Sequence, residues 1–135
     1  MGLFFHEFIH LLVSLLVGLL LYYKFRQRQL IFLSLFVGIF IDLDHLIDYF
    51  IVVDFSRFSL TEFLATDWFG KTNKAYVLFH GWEFVLLLLF LAYKLKKYQP
   101  ILLTIALSIF GHLLVDQFNF LFQGYWIFGY FFIYR

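Results

Sequence analysis

Each of the five histidines in this chain has a carboxylate within four residues. The groups are His6, Glu7 and His10; Asp42, Asp44, His45 and Asp48; His80 and Glu83; and His112 and Asp116. They fall in four separate apolar stretches. Imidazole nitrogen with carboxylate oxygen is the donor set of divalent zinc, manganese or iron, with zinc the first choice and magnesium a poorer match to so many imidazoles. Cysteine is absent, which excludes thiolate ligands, thiol nucleophiles and disulfides. About ten candidate ligands exceed what one tetrahedral ion needs. They fit either one ion with carboxylates orienting its histidines, or two ions. Haem needs one or two axial histidines and leaves the acids unexplained.

The densest element is Asp42-Leu43-Asp44-His45, three titratable groups in four residues of an apolar run. We assign metal binding to His10, Asp42, Asp44, His45, His80, His112 and Asp116, with His6 as a further ligand. Glu83 is the preferred general base, since water activated by a metal needs a nearby proton acceptor. Asp48 is a second catalytic candidate. Each assignment has a simpler rival. The Asp/His groups could form a polar packing network, His6 and Glu7 could be wet at headgroup level, and Asp48 could mark the outer edge of its segment. Ser14 and Asn119 continue the histidine stripes and read as helix-packing groups.

These residues must be positioned by helices in an apolar setting. The 135-residue chain is 64% hydrophobic with mean hydropathy +0.89, well above a soluble domain. Apolar segments cover approximately 3–23, 30–53, 76–93 and 100–122, each near the length that crosses a hydrocarbon core. The expected fold is all-α: one integral membrane domain over residues 1–135, a polytopic four-helix transmembrane bundle. The first segment lacks the basic start of a secretory signal and reads as a retained helix. The loops Lys24–Arg28 and Lys94–Lys97 are purely basic, which places them in the cytoplasm. In the charge-balanced 54–75 loop, Ser59 and Glu62 have capping-box spacing and precede Phe63, Leu64, Trp68 and Phe69, so a short interfacial helix is expected. The aromatic tail from Gln123 to Arg135 suits the membrane interface.

Depth ties the four clusters together. His10 lies 14 residues before Lys24, Asp44 lies 16 after Arg28, His80 lies 14 before Lys94 and His112 lies 15 after Lys97. At helical rise these are all about 21–24 Å from the basic side. Chain direction alternates while depth agrees, so the clusters form one layer toward the outer leaflet. Phase agrees as well: His6/His10, Asp44/Asp48 and His112/Asp116 are four apart, and Asp42/His45 and His80/Glu83 are three apart. Six of the nine acids (Glu7, Asp42, Asp44, Asp48, Glu83 and Asp116) lie in these segments or at their edges, whereas no lysine or arginine lies within one. A divalent metal balances that charge.

The motifs resemble those of the YdjM-like family, LexA-regulated inner-membrane proteins described as metal-dependent hydrolases. Asp42, Asp44 and His45 match that family's Pro-Asp-x-Asp-His element, with Ile41 in place of the proline. Gly111, His112 and Asp116 match its Gly-His-x-x-x-Asp element, and His6 or His10 its N-terminal histidine. His80-Gly81-Trp82-Glu83 is a reduced form of a longer His-Arg-Gly-x-Thr-His-Ser segment. The resemblance implies a bacterial-type inner (plasma) membrane location and a metal-dependent hydrolase.

The expected function is hydrolysis of a lipid or lipid-linked (phospho)ester by metal-activated water, with the lipid bilayer as surroundings and source of substrate. Two rivals use the same ligands. A metal or proton transporter needs a polar path to both sides, yet Leu15 to Tyr23 and Phe84 to Leu91 are nearly all apolar. A metal-stapled assembly protein needs no catalysis. The net charge of +1 gives no argument for nucleic acid.

Overall fold

The computed structural model describes residues 3–65 and 79–122. Every element among them is helical. In chain order these are α1 (Leu3–Phe25), α2 (Gln29–Phe40), a 3-10 turn (Ile41–Asp44), α3 (His45–Val52), a second 3-10 turn (Phe55–Arg57), α4 (Leu60–Ala65), α5 (Trp82–Lys94), a third 3-10 turn (Lys96–Tyr98) and α6 (Gln99–Phe122). Three stretches are long and apolar enough to cross a membrane: Phe5–Phe25, Gln29–Val52 and Lys96–Asn119.

The expected segment 76–93 differs. Its described helix begins only at Trp82 and has 13 residues, about 20 Å at helical rise. His80 therefore precedes the helix rather than riding on it, and its expected i,i+3 partnership with Glu83 on a helical face does not apply. The second stretch also differs from a plain helix. It tightens into 3-10 geometry at Asp42 and Asp44 and then resumes. Such a mid-helix interruption commonly accompanies function or strain.

Helix α6 is the shared neighbour, with α1, α2 and α5 all packed on it, while α1 and α2 form an antiparallel pair. Small residues let the backbones approach. A Cβ on Gly18 would lie 2.8 Å from Ile31 Cα; one on Gly38 would fall on Ser14 Oγ; one on Gly111 would lie 2.6 Å from Val13 Cγ1. Ile41, Val85, Ile109 and Leu113 form a compact apolar cluster among α5, α6 and the first 3-10 turn.

The distribution of polarity is inverted relative to a water-soluble domain. Among the described residues, nine polar or charged groups are buried, as many as the nine buried hydrophobics, while Leu16, Leu20, Phe32, Phe36, Leu86 and Phe90 are exposed. Such a surface suits hydrocarbon and not water. Below the histidines, Ser34 Oγ lies 2.7 Å from both the Ser14 carbonyl and Ser108 Oγ, Ser108 donates to the Thr104 carbonyl and Thr104 donates to the Pro100 carbonyl. This buried ladder was not read from the sequence, where single hydroxyls in apolar runs carry little signal.

The 54–65 stretch contains the expected short helix, α4. Ser59 Oγ accepts from the Glu62 N–H, but the reciprocal half of the capping box is taken by Tyr49. The Tyr49 hydroxyl donates to Glu62 and accepts from the Ser59 N–H, tying α4 back to α3. Just before it, Asp54 accepts from both the N–H and the hydroxyl of Ser56, which holds its carboxyl below the usual range. Trp68, Phe69 and the aromatic tail 123–135 lie outside the described residues.

Overpacking costs about 1–3 kcal/mol where backbones cannot separate. Gly111→Ala is therefore expected to lower thermal stability in detergent by about that amount, whereas Leu86→Ala on the exposed face of α5 leaves it nearly unchanged. Fluorescence-detected thermal unfolding compares the two, and equal midpoints would contradict the packing described.

Candidate metal centre

The four clusters meet. His6 and His10 come from adjacent turns of α1, and His112 and Asp116 from adjacent turns of α6. Asp42 and Asp44 come from the 3-10 turn, His45 from the first residue of α3, and His80 from the segment that enters α5. The shared layer inferred from residue counts is thus realised as direct contact.

Two carboxylates organise the histidines. Asp116 Oδ1 lies 3.1 Å from His6 Nε2 and 3.1 Å from His10 Nε2, and its Oδ2 lies 3.4 Å from His112 Nε2. Asp42 Oδ1 lies 3.1 Å from His80 Nε2, 3.2 Å from His112 Nε2 and 3.7 Å from His45 Nε2. The five rings touch in sequence, with centroid separations of 4.4 Å for His6–His10, 3.8 Å for His10–His112, 5.1 Å for His112–His80 and 4.8 Å for His80–His45. His112 is the middle ring and reaches both carboxylates.

The 3-10 turn explains the Asp42/His45 placement. At three residues per turn, positions three apart eclipse, so both side chains leave the helix in one direction. Asp44 leaves in another. Its Oδ2 accepts from the Phe79 N–H at 2.8 Å and pairs with His80 Nδ1 at 3.0 Å. Asp44 thus stands behind His80 while His80 Nε2 faces Asp42. Its other oxygen, Oδ1, has no hydrogen-bond partner among the described residues. A carboxylate on the far nitrogen of a metal-binding histidine fixes its tautomer and raises its basicity.

The donor set could hold a divalent ion. His6 Nε2, His10 Nε2 and Asp116 Oδ1 lie about 3 Å apart in a triangle, with the two nitrogens at 2.9 Å. If both nitrogens carry hydrogen toward the carboxylate, the hydrogens face each other; if one is bare, it has none for the carboxylate. A cation between them resolves the conflict. Asp42 Oδ2, Asp44 Oδ1 and His112 Nδ1 are buried with no hydrogen-bond partner among the described residues. No lysine or arginine pairs with the cluster among those residues. Three groups have one donor atom per residue within 4.8 Å of the others: His6, His10 and Asp116; Asp42, His45 and His80; and His80, His112 and Asp116.

The remaining assignments separate. Glu83 sits in the first turn of α5 with its carboxylate folded toward Gly81, and both oxygens are buried without a partner among the described residues. It makes no ion pair with the histidines in that set. Glu7 is exposed on α1, and Ser14 is buried against Gly38. The backbone of Asp48 lies in α3, and its side chain is outside the described residues. No family model, curated protein or solved structure matches this chain.

The position of Asp44 makes its contribution separable from that of Asp42. Asp44→Asn is expected to keep the fold and to weaken affinity for an added divalent ion about 10–100-fold by loosening His80. Asp42→Asn weakens it further, because three histidines lose a shared anionic neighbour. Competition against a chromophoric chelator measures both, and wild-type affinity in Asp44→Asn would remove the orienting role.

Proposed function

We propose that this chain is a membrane-embedded, metal-dependent hydrolase of a lipid or lipid-linked phosphoester. The observation that carries the proposal is the convergence of five histidines and two acceptor carboxylates inside a helical array whose outer surface is apolar. A soluble substrate has no evident reason to meet a site among such surfaces, whereas an ester at the headgroup boundary is already there. Zinc is the first choice of metal, with manganese or iron as alternatives.

In this reading α5 completes a fourth, shortened membrane segment, and α4 lies at the interface. The basic loops at 24–28 and 94–97 face the cytoplasm, which sets the histidine layer toward the outer leaflet of a bacterial-type inner membrane. Membership of the YdjM-like family belongs to the same proposal, resting on the Asp42-x-Asp44-His45 and Gly111-His112-x-x-x-Asp116 motifs.

A divalent ion supplies Lewis acidity toward a phosphoryl or acyl oxygen and acidifies water. The chain's own residues do the rest. His80 is held by Asp44, His112 Nε2 lies between Asp42 and Asp116, and the unpaired Glu83 carboxylate is available to accept a proton. The buried hydroxyls of Ser34, Thr104 and Ser108 favour a second reading, transport, because they extend polar groups below the layer. However, these hydroxyls are close to or bonded with helix carbonyls, which makes them packing groups rather than a free path.

Protein in lipid nanodiscs, loaded with zinc or manganese, is expected to release phosphate or headgroup from at least one member of a phospholipid and lipid-phosphate panel. Chelation abolishes turnover and metal restores it. Glu83→Gln lowers kcat about 10²–10⁴-fold with metal content unchanged. Metal-loaded protein inert on the whole panel, but able to carry ions into vesicles, would replace hydrolysis with transport.

A further inference from the structure

We infer that the layer holds two divalent ions rather than one, each centred on its own triad, with His112 between them and Asp116 reaching across from the first. This rests on the metal-dependent reading above and goes beyond it in number and partition. The first ion belongs to His6, His10 and Asp116, where α1 faces α6. The second belongs to Asp42, His45 and His80, where the 3-10 turn and the start of α3 face the entry to α5. These two triads share no residue.

Geometry carries the partition. Asp116 uses its two oxygens in different directions, Oδ1 toward His6 and His10 and Oδ2 toward His112. A carboxylate presented in that way can bridge. His112 Nε2 lies 3.2 Å from Asp42 and 3.4 Å from Asp116, and its ring stacks on His10 while meeting His80 edge-on. It therefore stands at the junction of the triads, within the third group His80, His112 and Asp116, which takes one residue from each. A single tetrahedral ion takes four ligands, which would leave at least three of the seven groups His6, His10, His45, His80, His112, Asp42 and Asp116 without a metal.

Charge points the same way. Asp42, Asp44, Asp116 and Glu83 carry four negative charges when ionised, and no lysine or arginine offsets them among the described residues. One divalent ion offsets two of these charges and two ions offset four. Uncompensated buried charge is strongly disfavoured. Paired ions about 3.5–4 Å apart are also a recurring arrangement for clamping the attacking and leaving oxygens of a phosphoryl group.

Mn(II) alone is the probe. The protein is purified in detergent, reconstituted with Mn(II), desalted, and read by elemental analysis and electron paramagnetic resonance. Two ions per chain and a spin-coupled spectrum are expected. The half-site variants use the more exposed histidine of each triad, His6→Gln and His45→Gln, whose side chains are 18% and 22% exposed in the wild type. Size-exclusion profile and circular dichroism check that each is folded. Each variant is expected to retain one ion and to show an uncoupled six-line signal. One ion per chain in the wild type would overturn the two-ion assignment and leave a single-metal hydrolase standing. Loss of all metal in both folded variants would do the same, since it marks one joint site. No metal in folded wild type would overturn the metal-dependent function itself.

Discussion

The constraint on which this structure turns is the compensation of negative charge away from water. Carboxylates in an apolar bundle must be neutralised by a proton, a basic side chain or a metal. Here the basic side chains of the chain lie in loops and at helix ends, and the groups nearest Asp42 and Asp116 are histidines. Imidazole can serve as counter-ion or as ligand. The number of imidazoles, their edge-to-edge contacts and the competing nitrogens of His6 and His10 favour the ligand role. The fold can then be understood as the means of holding these groups together.

That holding is done mainly by small and hydroxyl-bearing residues. Without a hydrophobic force between helices in lipid, association depends on close packing and hydrogen bonds. Gly18, Gly38 and Gly111 let α1 sit tightly between α2 and α6, and this contact sets the separation of His10 from His112. Ser34 fixes α2 against both α1 and α6. Asp44 does a comparable job for the last element, since its bond to the Phe79 N–H anchors the chain just before His80. The site and the bundle are therefore mutually dependent: its side chains come from α1, the 3-10 turn, the start of α3, the segment entering α5, and α6.

Much of this was legible in the sequence because two regularities are coarse. Helical rise converts residue counts from the basic loops into depth, and that placed His10, Asp44, His80 and His112 at one level. Four-residue spacing placed His6 with His10 and His112 with Asp116. What the sequence concealed depends on local geometry. Asp42 and Asp44 look equivalent on paper, yet one faces the histidines and the other stands behind His80. Their difference arises from a 3-10 turn that no residue type in Ile41–Asp44 announces. The hydroxyl ladder was hidden for another reason: Ser34, Thr104 and Ser108 become a unit only when three helices come together. The start of α5 was placed too early because apolar composition before Trp82 resembles helix.

The 3-10 turn has a consequence for the outer surface as well. Four residues wound at 120° instead of 100° each add about 80° of rotation, so α3 presents a different side than an unbroken helix would. Exposed apolar residues lie on both sides of the change in winding, with Phe32, Phe36, Ile39 and Phe40 before it and Leu43, Ile47 and Ile51 within and after it. Apolar exposure therefore continues past the turn that carries Asp42 and precedes His45. The second long segment thus behaves as a screw with a locally altered thread, and its two halves can meet different neighbours.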